Sequence, residues 1–154
     1  MRKVFQIIAA GMLITIAVAG PATAAPDSLQ DQASAFFKRY VELGHAFDVA
    51  VADMYADDAR IISIRKYPSG EERTVEMTGS QLKDRIREVM PMARARGDKS
   101  TYSNVSYAVE GSRVRINATR YSVLKNYYSP YSMLIGPDSS GRWLIYELKI
   151  VAQP

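Results

Sequence analysis

The stretch Met54-Tyr55-Ala56-Asp57-Asp58-Ala59-Arg60-Ile61-Ile62-Ser63-Ile64-Arg65 decides how the rest of the chain is read. Its second half, Ala59 to Arg65, is rich in β-branched residues and reads as a strand. Ala56-Asp57-Asp58 ahead of it reads as a turn. The spacing of apolar residues is helical before this point and mostly two-residue after it. Upstream, Leu29, Ala33, Phe36, Phe37, Tyr40 and Val41 recur at helical spacing, separated by Gln30, Asp31, Gln32, Lys38, Arg39 and Glu42. Ser28 suits the N-cap of that helix, and Gly44 offers its end. Asp48 can cap a second short helix running to about Tyr55, with Val51, Met54 and Tyr55 turned inward.

Downstream, Pro68-Ser69-Gly70 makes a turn, and Glu72 to Met77 returns to complete a hairpin. Thr78-Gly79-Ser80-Gln81 is a capping box that opens a third helix, with Leu82, Ile86, Val89, Met90 and Ala93 on one face. Pro91 is expected to kink or end that helix. Four strands follow: Tyr102–Glu110, Arg113–Lys125, Tyr127–Ile135 and, after the loop Gly136 to Gly141, Arg142–Val151. Three helices are thus segregated from about six mostly antiparallel strands. The class is α+β, with a strongly curved sheet wrapped around the helices.

The N-terminus has its own pattern. Arg2 and Lys3 precede an apolar run from Val4 to Ala19, Gly20-Pro21 breaks it, and Ala22-Thr23-Ala24 supplies small residues. This layout reads as a signal peptide over residues 1–24, leaving one domain over 25–154 and a periplasmic or secreted location. The run is 16 residues long, short of the roughly 20 that span a bilayer. Without Arg2 and Lys3, 18 basic residues face 16 acidic ones, so the formal charge falls from +4 to +2. Charges of both signs are mixed along the chain, so a nucleic-acid partner is not expected. After cleavage, neither is a membrane. With no cysteine, thiol catalysis, thiolate metal sites and Cys-linked haem are excluded. The single His45 removes most histidine-based metal sites. No cofactor or metal is expected.

Taken together, the order of elements, the Met54–Ile61 stretch and Gly141-Arg142-Trp143-Leu144-Ile145 resemble the nuclear transport factor 2-like superfamily over about residues 28–153. The resemblance implies a cone-shaped α+β fold, a pocket between helices and concave sheet, and a homodimer through the sheet face. It does not imply an activity, because the superfamily hosts isomerases, dehydratases, cyclases, hydrolases and binding proteins.

Candidate pocket residues follow from which polar side chains share a face with apolar ones. Tyr40 and Tyr55 sit on apolar helix faces. Tyr107 shares parity with Val105 and Val109, and Tyr146 with Leu144 and Leu148. A phenol in a pocket wall can donate to an oxyanion, or simply pack with its hydroxyl partnered. Arg120 follows Val114, Ile116 and Ala118 on one parity. It either points into the pocket mouth and holds a carboxylate or phosphate, or leaves the core for water or an acidic partner. Glu147 shares parity with Trp143 and Ile145, and so qualifies as an inward carboxylate. His45 reads as a helix-terminal interaction. Tyr127, Tyr128 and Tyr131, with Pro130, form either an exposed aromatic rim or packing across the hairpin. Asn104 and Asn117 match glycosylation sequons within strands and carry no weight. The leading expectation is a non-catalytic exported binding or accessory protein, holding a small apolar or acidic ligand or pairing through the sheet face. The alternative is a proton-transfer enzyme (isomerase, dehydratase or cyclase) using Tyr55, Arg120 and Glu147. A ligand-free scaffold whose cone is filled is a third possibility.

Overall fold

Ser28 starts the first helix by reciprocal capping: its hydroxyl accepts from the Asp31 N–H at 3.1 Å, and its own N–H donates to the Asp31 carboxylate at 3.2 Å. The computed structural model describes residues 28–153, so the expected signal peptide lies outside the described residues. Helix α1 spans Leu29–Ala46 and buries Ala33, Phe37 and Leu43. It runs two residues past Gly44 and closes on Phe47, which adopts a left-handed conformation with φ 52°. A non-glycine residue at positive φ is strained. Phe47 tolerates it because its side chain is buried.

The expected second helix is a 3-10 helix over Val49–Met54, N-capped by the Asp48 carboxylate. No turn separates it from the first strand. Strand β1 spans Tyr55–Lys66, and its pairing shifts register between Tyr55 and Arg60. This bulge lets Ala56 and Ala59 both face the core while Asp57 and Asp58 face water. Acidic residues that read as a turn are therefore the solvent side of a bulged strand.

Strand β2 (Glu72–Thr78) pairs with β1, and the Thr78–Gln81 capping box opens α2 (Gly79–Arg96) as expected. Pro91 does not end α2, which continues through Arg96 and stops at left-handed Gly97. Strands β3 (Ser100–Glu110), β4 (Arg113–Ser122), β5 (Tyr127–Pro137) and β6 (Trp143–Ala152) follow. β4 stops three residues before the expected Lys125. Val123 and Leu124 are exposed, and Asn126, at φ 56°, turns the chain instead. The sheet order is β2-β1-β6-β5-β4-β3, antiparallel except for β1 beside β6.

The core lies between α1, the 3-10 helix and the concave face, centred on Ile61, Val114, Ile116, Met133, Ile135 and Ile145. Gly79 fixes how closely α2 approaches this layer. A methyl group there would overlap the Ala56 carbonyl oxygen.

Candidate functional site: a tyrosine-floored groove between the helices

A cavity of about 260 Å³ opens between the C-terminal half of α1, the 3-10 helix and α2. Tyr55 and Leu148 form its buried floor, and Tyr40, Tyr102, Leu82 and Ile86 its walls. The exposed His45, Asp98 and Lys99 stand at its rim. Two of the wider hollows elsewhere are bounded by exposed charged residues, Lys66 and Lys125 in one and Asp84 and Glu88 in the other, and a second apolar hollow of about 270 Å³ lies beside Phe47, Val49, Met90 and Pro91. The groove by Tyr55 combines a buried floor with an apolar wall, the usual character of a small-ligand site.

The aromatic side chains around it lock one another in place. Phe37 meets Tyr102 edge-on at 5.3 Å, and Tyr102 meets Tyr131 edge-on at 4.9 Å. The Tyr40 and Tyr55 hydroxyls lie 3.2 Å apart, within hydrogen-bond distance. Burial raises the pKa of Tyr40, Tyr55, Tyr102 and Tyr131 above the ordinary phenol value, with neighbouring phenols acting in both directions as smaller effects. At neutral pH they are uncharged hydrogen-bonding groups, not bases.

Arg120 lies behind this wall. It pairs directly with Tyr102 on one side and Ser129 on the other, all on the concave face. One terminal nitrogen donates to the Ser100 hydroxyl at 2.9 Å; the other donates to the Tyr127 hydroxyl at 2.8 Å and the Val151 carbonyl at 3.5 Å. Among the described residues no carboxylate lies within ion-pair distance of it. The expectation that the strand leaves the core at Arg120, for water or an acid, is corrected. The guanidinium is held inside by neutral oxygens, one side chain from the cavity.

The other candidates separate. Tyr40 and Tyr55 line the groove. Tyr107 packs half-buried against the core further along β3, away from the groove. Tyr146 lies under the Arg113 guanidinium, 3.8 Å from its ring centre, also away from the groove. Glu147 is not an inward carboxylate. The β5–β6 register shifts where Leu134 pairs with Glu147 but Ile135 pairs with Ile145, leaving Tyr146 in a bulge. Beyond it Leu148 takes the inward position, and Glu147 turns to the opposite face. There it accepts from Arg115 at 2.7 Å, beside Glu110. His45 does not cap its own helix; its Nε2 bonds the Ser100 carbonyl at 2.8 Å. The four residues at the β4–β5 turn form neither a common rim nor a common packing group. Tyr131 is buried, Tyr127 holds Arg120, and Tyr128 is 68% exposed and packs at a tilt on Tyr121, its partner across the β4–β5 hairpin.

Tyr102 is the wall residue that alternation misses. It stands an odd number of positions from Tyr107, yet both face inward, Tyr107 paired with Ile116 and Tyr102 with Arg120. The pairing of β3 with β4 shifts between Ser103 and Ser106, where Asn104 takes φ 52°. Asn tolerates that conformation better than most residues, which is the one sign of the bulge in the sequence.

Solved structures share this arrangement. Yeast UBP3-associated protein BRE5 superposes with a TM-score of 0.60 at 21% identity, over 81% of this chain and 96% of that one. A nuclear transport factor 2-like protein from Cytophaga hutchinsonii gives 0.58 at 14% identity, over 82% and 99%. The chain has the nuclear transport factor 2-like fold. A third protein of this fold, of unknown function, from Shewanella oneidensis, gives 0.59 at 12% identity over 80% and 98%. No protein-family model matches the chain, and no curated protein matches it. At these identities the nuclear transport factor 2-like likeness fixes the architecture and leaves the chemistry to the residues in the cone.

Proposed function

We propose that this chain is an exported, non-catalytic binding protein that holds a small, largely apolar ligand in the groove between α1 and α2. The observation that carries this reading is the lining of the groove: aliphatic side chains from α2 over a floor of neutral phenols, with its one carboxylate, Asp98, at the exposed rim. An apolar wall with a few convergent polar groups selects for shape and orients a ligand. The volume, about 260 Å³, gives room for roughly nine water-sized groups, so the ligand is small. The proton-transfer alternative relied on Glu147 as its inward carboxylate, and Glu147 is bound to Arg115 on the other face. Export rests on the N-terminal pattern alone, and pairing through the sheet face on family resemblance alone.

Native mass spectrometry of protein isolated from the periplasm tests the reading. A small molecule is expected to leave on denaturation, and Ile86→Trp, which fills the groove from α2, is expected to abolish its retention. No released molecule, together with unchanged melting across a metabolite panel, would refute it.

A further inference from the structure

We infer that the polar cluster of Arg120, Ser129 and Tyr131, which lies behind the groove wall formed by Ser100 and Tyr102, is a receptor for a carboxylate, and that the ligand is a small organic acid. This rests on the proposed reading that the groove binds a ligand. Among the described residues, three buried side-chain polar atoms have no hydrogen-bond partner of good geometry: Arg120 Nε, Ser129 Oγ and Tyr131 Oη. They are neighbours on one face. Arg120 and Ser129 stand directly opposite across β4 and β5, and Ala118 and Tyr131 form the next inward pair. Residues so paired hold their Cβ atoms roughly 5 Å apart. Ser129 and Tyr131 are 4% and 3% exposed, so bulk water does not serve them.

The chemistry of the three is complementary to one kind of group. Arg120 Nε carries a hydrogen and cannot accept, while each hydroxyl can donate. The guanidinium is a cation whose three bonded partners, Ser100, Tyr127 and Val151, are all uncharged oxygens. An interior cation normally has a counter-charge, and among the described residues none lies within ion-pair distance of it. The Tyr131 hydroxyl makes no hydrogen bond of good geometry, although the Tyr40 and Tyr102 hydroxyls are near enough for a looser polar contact with it, so Arg120 Nε and Ser129 Oγ are the two atoms with no near polar partner among the described residues. A carboxylate satisfies all of this at once: it brings the missing charge, accepts from several donors, and gains charge-assisted bonds from Arg120.

The position connects this cluster with the groove. Ser100 and Tyr102 line the cavity, and both contact Arg120, Ser100 by hydrogen bond and Tyr102 by direct cross-strand pairing. An acid whose apolar body lies along Leu82 and Ile86 would direct its carboxylate between them.

Hexanoate and 1-hexanol, which share an apolar chain and differ in the head group, separate the possibilities by NMR titration of the mature protein at neutral pH. Hexanoate is expected to bind roughly tenfold or more tightly than hexanol, the scale of one charge-assisted interaction. Arg120→Gln is expected to remove that preference while leaving hexanol binding in place. Ser129→Ala and Tyr131→Phe delete unsatisfied buried hydroxyls, so they keep the fold, and each is expected to reduce the preference in part. These two variants carry the test if Arg120→Gln does not fold. Equal affinity for the two probes, or a preference indifferent to all three substitutions, would overturn the carboxylate receptor, water then serving the three atoms, and would leave the groove as a binding site. Binding of neither probe would overturn both.

Discussion

Raising the pH should unfold this protein through its buried tyrosines. Tyr55 and Tyr131 are 2% and 3% exposed, and burial raises both pKa values above the ordinary 10.0. The folded state therefore keeps protons that the unfolded state has already lost. Each group's contribution is fully present below about pH 10 and is lost as pH rises from there towards the folded value. A phenol protonated in one state and ionised in the other changes stability by ~1.4 kcal/mol per pH unit. Tyr55 and Tyr131 together give ~3 kcal/mol per unit. Tyr40 and Tyr102 are half-buried and line the cavity, where water weakens the penalty, so all four give at most ~5 kcal/mol per unit. A domain stable by ~5–15 kcal/mol should then unfold within a few units above pH 10. Tyrosinate absorbance recorded beside far-ultraviolet circular dichroism measures it. Surface phenols should ionise first with the fold intact, and the buried ones in one step with loss of structure. Tyr55→Phe and Tyr131→Phe should each flatten the alkaline slope by ~1.4 kcal/mol per unit. Smooth ionisation of all ten tyrosines without a structural step would refute the reasoning.

Gly79→Ala should destabilise by ~1–3 kcal/mol or more, because the new methyl meets backbone that cannot rotate aside; the urea midpoint measures it, and an unchanged value would contradict the packing of α2 on β1. Met133→Ala, at a fully buried position, should cost ~2–5 kcal/mol, read by thermal or denaturant unfolding; a loss well under ~1 kcal/mol would displace it from the core. Glu147→Gln should leave ligand binding unchanged and cost under ~1 kcal/mol, since its ion pair with Arg115 is partly exposed; a large loss of binding would return Glu147 to the site.

The architecture was largely legible in the sequence because local signals agreed with it. Ser28 and Thr78 announce their helices through capping boxes, and the alternation Val114, Ile116, Ala118 and Arg120 gives the inward face of β4 without error. Tyr40 could be named from helical periodicity because a helix has no bulges in its count, and Tyr55, the first residue of β1, keeps its inward position because it precedes the bulge. The errors cluster where a strand gains a residue. Bulges near Asp57, Asn104 and Tyr146 each reverse the parity beyond them. They hid Tyr102, turned Glu147 outward, and made a turn of what is strand.

By itself, then, the sequence determined the class, the order of elements and an interior rich in tyrosine, since spacing and capping act between near neighbours. Only the tertiary structure decided which tyrosines meet and that Arg120 lies inside among neutral oxygens. Those facts depend on register between strands, which the Met54–Arg65 stretch and its successors set through packing, not through any local pattern.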